Sequence, residues 1–194
     1  VAGVEATSSI DVRVLIGERR APARVIGVRD FGSQEVDVVR VESGSLPGDG
    51  ELVADVQDAN VGLYDGEAGD EVTVLSATGE DATLRLTGRA RSLPGGEYVQ
   101  DNNVIVLYAT AATVADLGGE AGVDRLALRL DDPGPDAAEA TIEAVRAQLE
   151  GVPGFRGVAN LPAVRAPGDW PGKADTEAFA RFLSALTVLA LLSA

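Results

Sequence analysis

The tightest constraint on the fold is a pair of alternating stretches around a short polar turn. In Glu71–Ala77 (EVTVLSA), Val72 and Val74 alternate with polar neighbours, and Leu84 and Leu86 do the same in Ala82–Ser92 (ATLRLTGRARS). Thr78–Asp81 (TGED) carries a Gly between them, so the segment predicts a β-hairpin with one apolar face. Such a face must be buried against another layer. Neighbouring segments supply one. Ser8–Gly17 and Ala23–Val28 are rich in β-branched residues and predict strands joined by a turn over Glu18–Pro22. Val36–Glu42 predicts a further strand and Ser43–Gly50 (SGSLPGDG) a loop. Glu51–Gly66 predicts a short strand and then a helical turn.

Beyond a long loop over Leu93–Asn103 the pattern changes to alternating β and α. Asn103–Ala109 is an apolar strand, and Thr110–Gly118 a short helix with Thr110 as N-cap and Gly118 at its end. Val123–Asp131 alternates again, with Leu126, Leu128 and Leu130 on one face. The helix Pro135–Gly151 follows, with Pro135 in its first turn, Gly151 past its end and an apolar stripe of Ala138, Ile142, Val145 and Leu149. Phe155–Leu161 predicts a short strand, and Pro162–Gly172 a tether rich in Pro and Gly. The fold class is α+β, with no repeat of fixed period.

Charge and composition exclude several functions. The 194 residues carry a formal charge of −15, which repels phosphate backbones and argues against nucleic acid as a partner. There is no Cys, hence no disulfide, thiolate nucleophile or cysteine metal site, and no His, the commonest general base and transition-metal ligand. Carboxylate chemistry is what remains. Asp65, Glu67, Asp70 and Glu71 cluster around Gly66 and Gly69, but read more simply as a solvated acidic loop entering the hairpin. Asp131, Asp132 and Asp136 lack the spacing of an EF-hand and suit a strand end and a helix N-terminus. Lys173, the sole Lys, lies in the tether with nothing to fix it. Gly44, Gly48 and Gly50 match neither a P-loop nor GxGxxG, and Asp49 and Glu51 would oppose a phosphate there. Nothing assembles a nucleophile, base and oxyanion site. The chain is expected to be no enzyme, with no catalytic, cofactor-binding or metal residue and no cofactor.

The C-terminal part differs. Phe182–Ala194 (FLSALTVLALLSA) is 13 residues without a charge, Gly or Pro, and ten of them are apolar. As helix it covers about 20 Å, less than a bilayer requires. It could be a buried core helix, a surface amphipathic helix or the outer part of a transmembrane helix. Apolar residues lie all round it rather than in one stripe, which counts against the surface helix, and the lack of a cap or stop signal favours the third reading. Arg181 would then snorkel at the interface, and Trp170 is either an interfacial anchor or a packing residue.

The order of segments resembles the extracytoplasmic domain of FtsX/MacB-type ABC transporter permeases. Ser43–Asp55 is similar to the family's loop-to-strand stretch through Gly44, Pro47, Gly50 and Glu51. Ala59–Leu75 is similar to its Gly-Asp segment through Gly69 and Asp70, and Asn103–Gly119 to its strand–helix step ending in Leu117-Gly118. Thr87-Gly88 replaces the family's usual Val-Gly. The resemblance implies a MacB-like periplasmic core. Its Porter-like α/β part would comprise 1–28 and 103–161, and its Sabre-like, mostly β part 29–102. A tether over 162–177 and the start of a transmembrane helix over 178–194 would follow, with Phe179, Phe182, Leu183, Leu186 and Leu189 entering the membrane. It further implies a domain on the outer face of the cytoplasmic membrane. A cytoplasmic ABC ATPase and a second permease copy, in a homo- or heterodimer, would be its partners. ATP-driven helix movement would be passed to a protein, lipoprotein, peptide or lipid cargo outside. The alternative is a soluble or surface module that binds a ligand or protein and has no transport role.

Overall fold

The structure, a computed structural model, describes residues 1–75, 81–92, 103–119, 122–132, 134–159, 164–165, 168 and 176–183. The chain divides into two compact units, Val1–Arg129 and Leu130–Ala194. The first unit contains β1 (Gly3–Ile16), β2 (Arg19–Val28), β3 (Arg40–Gly44), β4 (Glu51–Asp55), α1 (Val56–Asn60), β5 (Glu71–Leu75), β6 (Asp81–Arg91), β7 (Ile105–Thr110), α2 (Ala111–Asp116) and β8 (Arg125–Arg129). The second contains α3 (Pro135–Glu150) and a helical segment over 176–183.

The eight strands form one sheet that closes on itself. The order runs β2-β7-β4-β6-β5-β1, and β1 then pairs with β2. β1 can do this because it is 14 residues long. Its second half lies between β2, in register Arg13↔Pro22, and β5, in register Arg13↔Leu75. Its first half carries β8, with Val4 opposite Leu128. β3 lies along β6. The β2–β7 and β4–β6 pairings are parallel, and the remaining pairings are antiparallel.

Period-two patterning explains what fills the ring. Val12 and Val14, Ala21, Ala23 and Val25, Leu52 and Ala54, Val72 and Val74, Leu86, and Ile105, Leu107 and Ala109 form one buried cluster. Each comes from alternate positions of its strand, so the residues share one face. Val114 and Leu117 of α2 complete this cluster. α2 sits close over β2 at Gly27, where a Cβ would lie 2.8 Å from Val114 Cγ2 and 2.5 Å from Ser8 Oγ. The intervening residues Ile26, Val28, Val53, Val106 and Tyr108 build a second cluster on the opposite face, with Val39, Ala90 and the partly buried Phe31 and Leu63.

Several expectations hold. β5 and β6 pair as the predicted hairpin, with Leu75 opposite Asp81; its turn, 76–80, lies outside the described residues. Thr110 caps α2 by accepting from the Thr113 N–H, and α3 runs from Pro135 to its cap at Gly151. Of the predicted α3 stripe Ala138 is buried, while Ile142, Val145 and Leu149 are half-buried.

Others are corrected. The predicted turn Glu18–Pro22 shrinks to Gly17-Glu18, because Gly17 takes φ 59° and Ile16 already pairs with Arg19. The strand predicted over Val36–Glu42 starts only at Arg40. Asp37 adopts φ 52°, which breaks an extended run, and its carboxylate accepts from Arg125 at 2.6 Å. Residues 155–159, predicted as strand, are irregular because Gly154 and Gly157 take φ 85° and 101°. β4, β5 and β6 are hydrogen-bonded between β7 and β1.

Candidate functional site

The densest buried polar grouping in the first unit lies where β4 turns into α1. β4 ends at Asp55, whose side chain accepts from the Gln57 N–H at 2.9 Å and so caps the five-residue α1. A solvated cap would suffice for this, yet Asp55 is 1% exposed. The Tyr108 hydroxyl on β7 donates to Asp55 Oδ2 and lies 2.8 Å from Ser92 Oγ. One turn along α1, Asp58 is 0% exposed. Its two carboxyl oxygens share one donor, the Val106 N–H of β7, at 3.3 and 3.0 Å. The pairing explains why. β4 meets β7 through Val53↔Tyr108 and Ala54↔Leu107 and then leaves the sheet, so Asp58 serves the next β7 amide in place of a strand.

Burial governs the titration of these groups. It raises Asp58 to about 8, against the pull of the Val106 N–H; the Asp55 carboxyl adds to the rise and Arg89 opposes it. Burial also raises Asp55, opposed by its hydrogen bonds from Tyr108 and Gln57. The Tyr108 phenol is pushed well above its ordinary value by burial and then by the Asp55 charge. Sequence reading missed this grouping, because Asp55 and Asp58 three residues apart look like any acidic helix start. The available signal was an acidic residue directly after the apolar run Leu52–Ala54, with a second on the same helical face.

The carboxylates that sequence did single out behave differently. Asp65 pairs with Arg89, Asp70 Oδ2 accepts from the Glu67 N–H at 2.8 Å, and all four of Asp65, Glu67, Asp70 and Glu71 are exposed. Asp132 Oδ1 accepts from the Gly134 N–H at 2.9 Å, next to the start of α3. Lys173 and Trp170 lie outside the described residues.

The residues carrying the family resemblance form the joints of the sheet. Gly44 ends β3 at φ 78°, where a Cβ would fall 2.1 Å from the Thr87 carbonyl oxygen. Pro47 is buried, and Glu51 Oε2 accepts from the Gly48 N–H at 3.0 Å. The Gly50 N–H donates to Thr113 Oγ1 at 2.9 Å while Thr110 Oγ1 donates to Asp49 at 2.6 Å, tying the loop to α2. Gly69, at φ 101°, donates to the Leu86 carbonyl, and the Leu86 N–H donates back to Asp70 O, both at 2.8 Å. Leu117 is buried and Gly118 follows it at φ 89°. Thr87, which departs from the family pattern, uses its hydroxyl to reach Ser45 O at 2.8 Å and Leu52 O at 3.1 Å, a bridge that Val could not make. Of the residues expected to enter the membrane, Phe179, Phe182 and Leu183 lie exposed on the helical segment 176–183; Leu186 and Leu189 lie outside the described residues.

These joints and the α+β sheet define the class of fold: the chain is built like the extracytoplasmic domains of ABC-type transporters. Among solved structures it is similar to the extracellular domain of the noncanonic ABC-type transporter YknZ from Gram-positive bacteria. That match has a TM-score of 0.50 and 12% identity and covers 73% of this chain and 70% of that one. It also matches the periplasmic region of MacB from Actinobacillus actinomycetemcomitans, with a TM-score of 0.47 and 16% identity over 75% of this chain and 66% of that one. No family model and no curated protein matches the sequence. At these identities the likeness is one of fold.

Proposed function

We propose that this chain is the extracytoplasmic domain of an ATP-driven permease of the FtsX/MacB type, anchored in the cytoplasmic membrane. The observation that carries this reading is the fold shared with the YknZ extracellular domain. The helical segment 176–183 supports it. Phe179, Phe182 and Leu183, spaced i, i+3 and i+4, are 61%, 58% and 46% exposed and lead into the uncharged run that ends the sequence. Among the described residues no helix is long and apolar enough to cross a membrane.

In this reading the domain has no catalytic residue of its own. A cytoplasmic ABC ATPase hydrolyses ATP, and a second permease copy completes the membrane part. Residues 162–177 act as the tether through which helix movement reaches the sheet. The domain then pushes, extracts or regulates a protein, lipoprotein, peptide or lipid at the outer face. The test is isolation of the full-length protein from its own cells in mild detergent. The reading expects it in the membrane fraction, with an ABC ATPase co-purifying in stoichiometric amount. Recovery in the soluble fraction without an ATPase would overturn it.

A further inference from the structure

The geometry points to a proton-held latch at the β4–α1 corner: Asp58, as a neutral carboxylic acid, fastens α1 to the Val106 amide of β7, and loss of its proton releases the corner. This inference stands independently of where the domain resides.

A buried carboxylate is stable when several N–H groups or a cation surround it. Asp58 is fully buried, yet its two oxygens share the single Val106 N–H. Neutral, the carboxyl carries no charge for burial to penalise and still accepts from that N–H. Of the charged and titratable groups around it, Asp55 makes ionisation harder and Arg89 eases it. Asp55, also buried, stands one turn away on the same side of α1. From β7 comes Tyr108, whose hydroxyl is already given to Asp55. From β6 come Arg89 and Arg91. Arg89 donates through Nε to Gly66 O at 3.1 Å and through Nη2 to Asp65, and Arg91 pairs with Glu42 at 2.7 Å. Both cations are thus engaged elsewhere, Arg89 with the buried Gly66 and the exposed Asp65, Arg91 with the exposed Glu42. Tyr64, in the segment after α1, is held by its N–H on the Asp58 carbonyl, and Asp70 lies near that ring. Among the described residues no cation is paired with Asp58, and an ionised Asp58 would put a second negative charge beside Asp55 in the same apolar surroundings.

Asp58 also holds more than α1. Its main-chain carbonyl accepts from both Leu63 and Tyr64, at 2.8 and 3.2 Å, so the segment leading to the acidic loop hangs from the same residue. Freeing the side chain loosens α1, that segment and the β7 edge together.

The sign follows from linkage. The closed corner keeps the proton up to about pH 8, whereas an open, solvated Asp58 loses it near its ordinary value of about 4. Opening therefore releases a proton between those limits, and the open population grows about tenfold per pH unit across them. Above the upper limit the dependence levels off.

Hydrogen exchange followed by mass spectrometry on the chain, corrected for intrinsic exchange rates, tests the latch in peptides covering 56–64 and 105–108. Between pH 5 and 8 their protection should fall about tenfold per pH unit. In Asp58→Asn, which keeps an oxygen for the Val106 N–H and has no proton to lose, that fall should vanish. An equal fall in Asp58→Asn, or none in the unsubstituted chain, overturns the latch. Should Asp58→Asn fail to fold, carbon-13 titration of the Asp carboxyls decides instead. An Asp58 signal that titrates near 8 upholds the latch, and one near 4 overturns it.

Discussion

Asp55 and Asp58 at the β4–α1 corner are buried, whereas Asp65, Glu67, Asp70 and Glu71, a few residues further on, face water. The two groups share composition, and the backbone they sit on separates them. The corner is pinned between β7 and β6 by strand pairing on both sides of β4, so its side chains have nowhere to go but inward. The loop is held by its own turn, through Asp70 to the Glu67 N–H, and by Gly69 to Leu86 of β6, and its carboxylates project outward. A cluster of acidic letters therefore says little about electrostatic consequence. The strand register around it decides that.

The contrast can be tested by substitution, with urea unfolding followed by circular dichroism as the measurement. Leu52, fully buried on the strand that leads into the corner, sets the scale: Leu52→Ala should cost about 2–5 kcal/mol. Of comparable size across its whole range is the effect of pH. Asp58 should make stability fall by about 1.4 kcal/mol per unit as pH rises between its unfolded value near 4 and its folded value of about 8, and Asp58→Asn should remove that slope. Glu5, raised by burial and then by Asp37, acts in the same direction. Asp11, held low by the hydrogen bond from Arg24, acts oppositely, stabilising above its ordinary value and losing this as pH falls.

Tyr108→Phe comes next, at about 1–3 kcal/mol, because it leaves the Asp55 carboxyl without the phenol it accepts from. Asp65→Ala is the smallest change, within about 1 kcal/mol, since its pair with Arg89 is solvent-exposed on the carboxylate side. If Asp65→Ala cost as much as Tyr108→Phe, the distinction between corner and loop would fail.

What sequence made legible follows the range of the interactions. The hairpin of β5 and β6, the Thr110 cap and the Pro135 helix start depend on neighbours a few residues away, and each was read correctly. The ring was not, because it depends on β1 pairing with β2, β5 and β8 at once, and alternation in Ser8–Gly17 does not state its partners. Asp37 illustrates the same limit: the β-branched run around it reads as strand, and the distant Arg125 helps to hold it elsewhere. The residues of the family resemblance were legible as a series, and the structure gives them work as joints between β3, β4, β6 and α2. Asp58 was not legible, since its role is set by where β4 leaves β7.

The proposal that this sheet stands on the extracytoplasmic side of a membrane-anchored protein is open to a direct measurement. The sequence has no Cys, so Glu18→Cys in the exposed β1–β2 turn introduces a unique thiol into this domain. In intact cells producing the full-length protein, a membrane-impermeant maleimide should label that thiol to the same extent as after lysis. Labelling only after lysis would place the sheet inside and contradict the account.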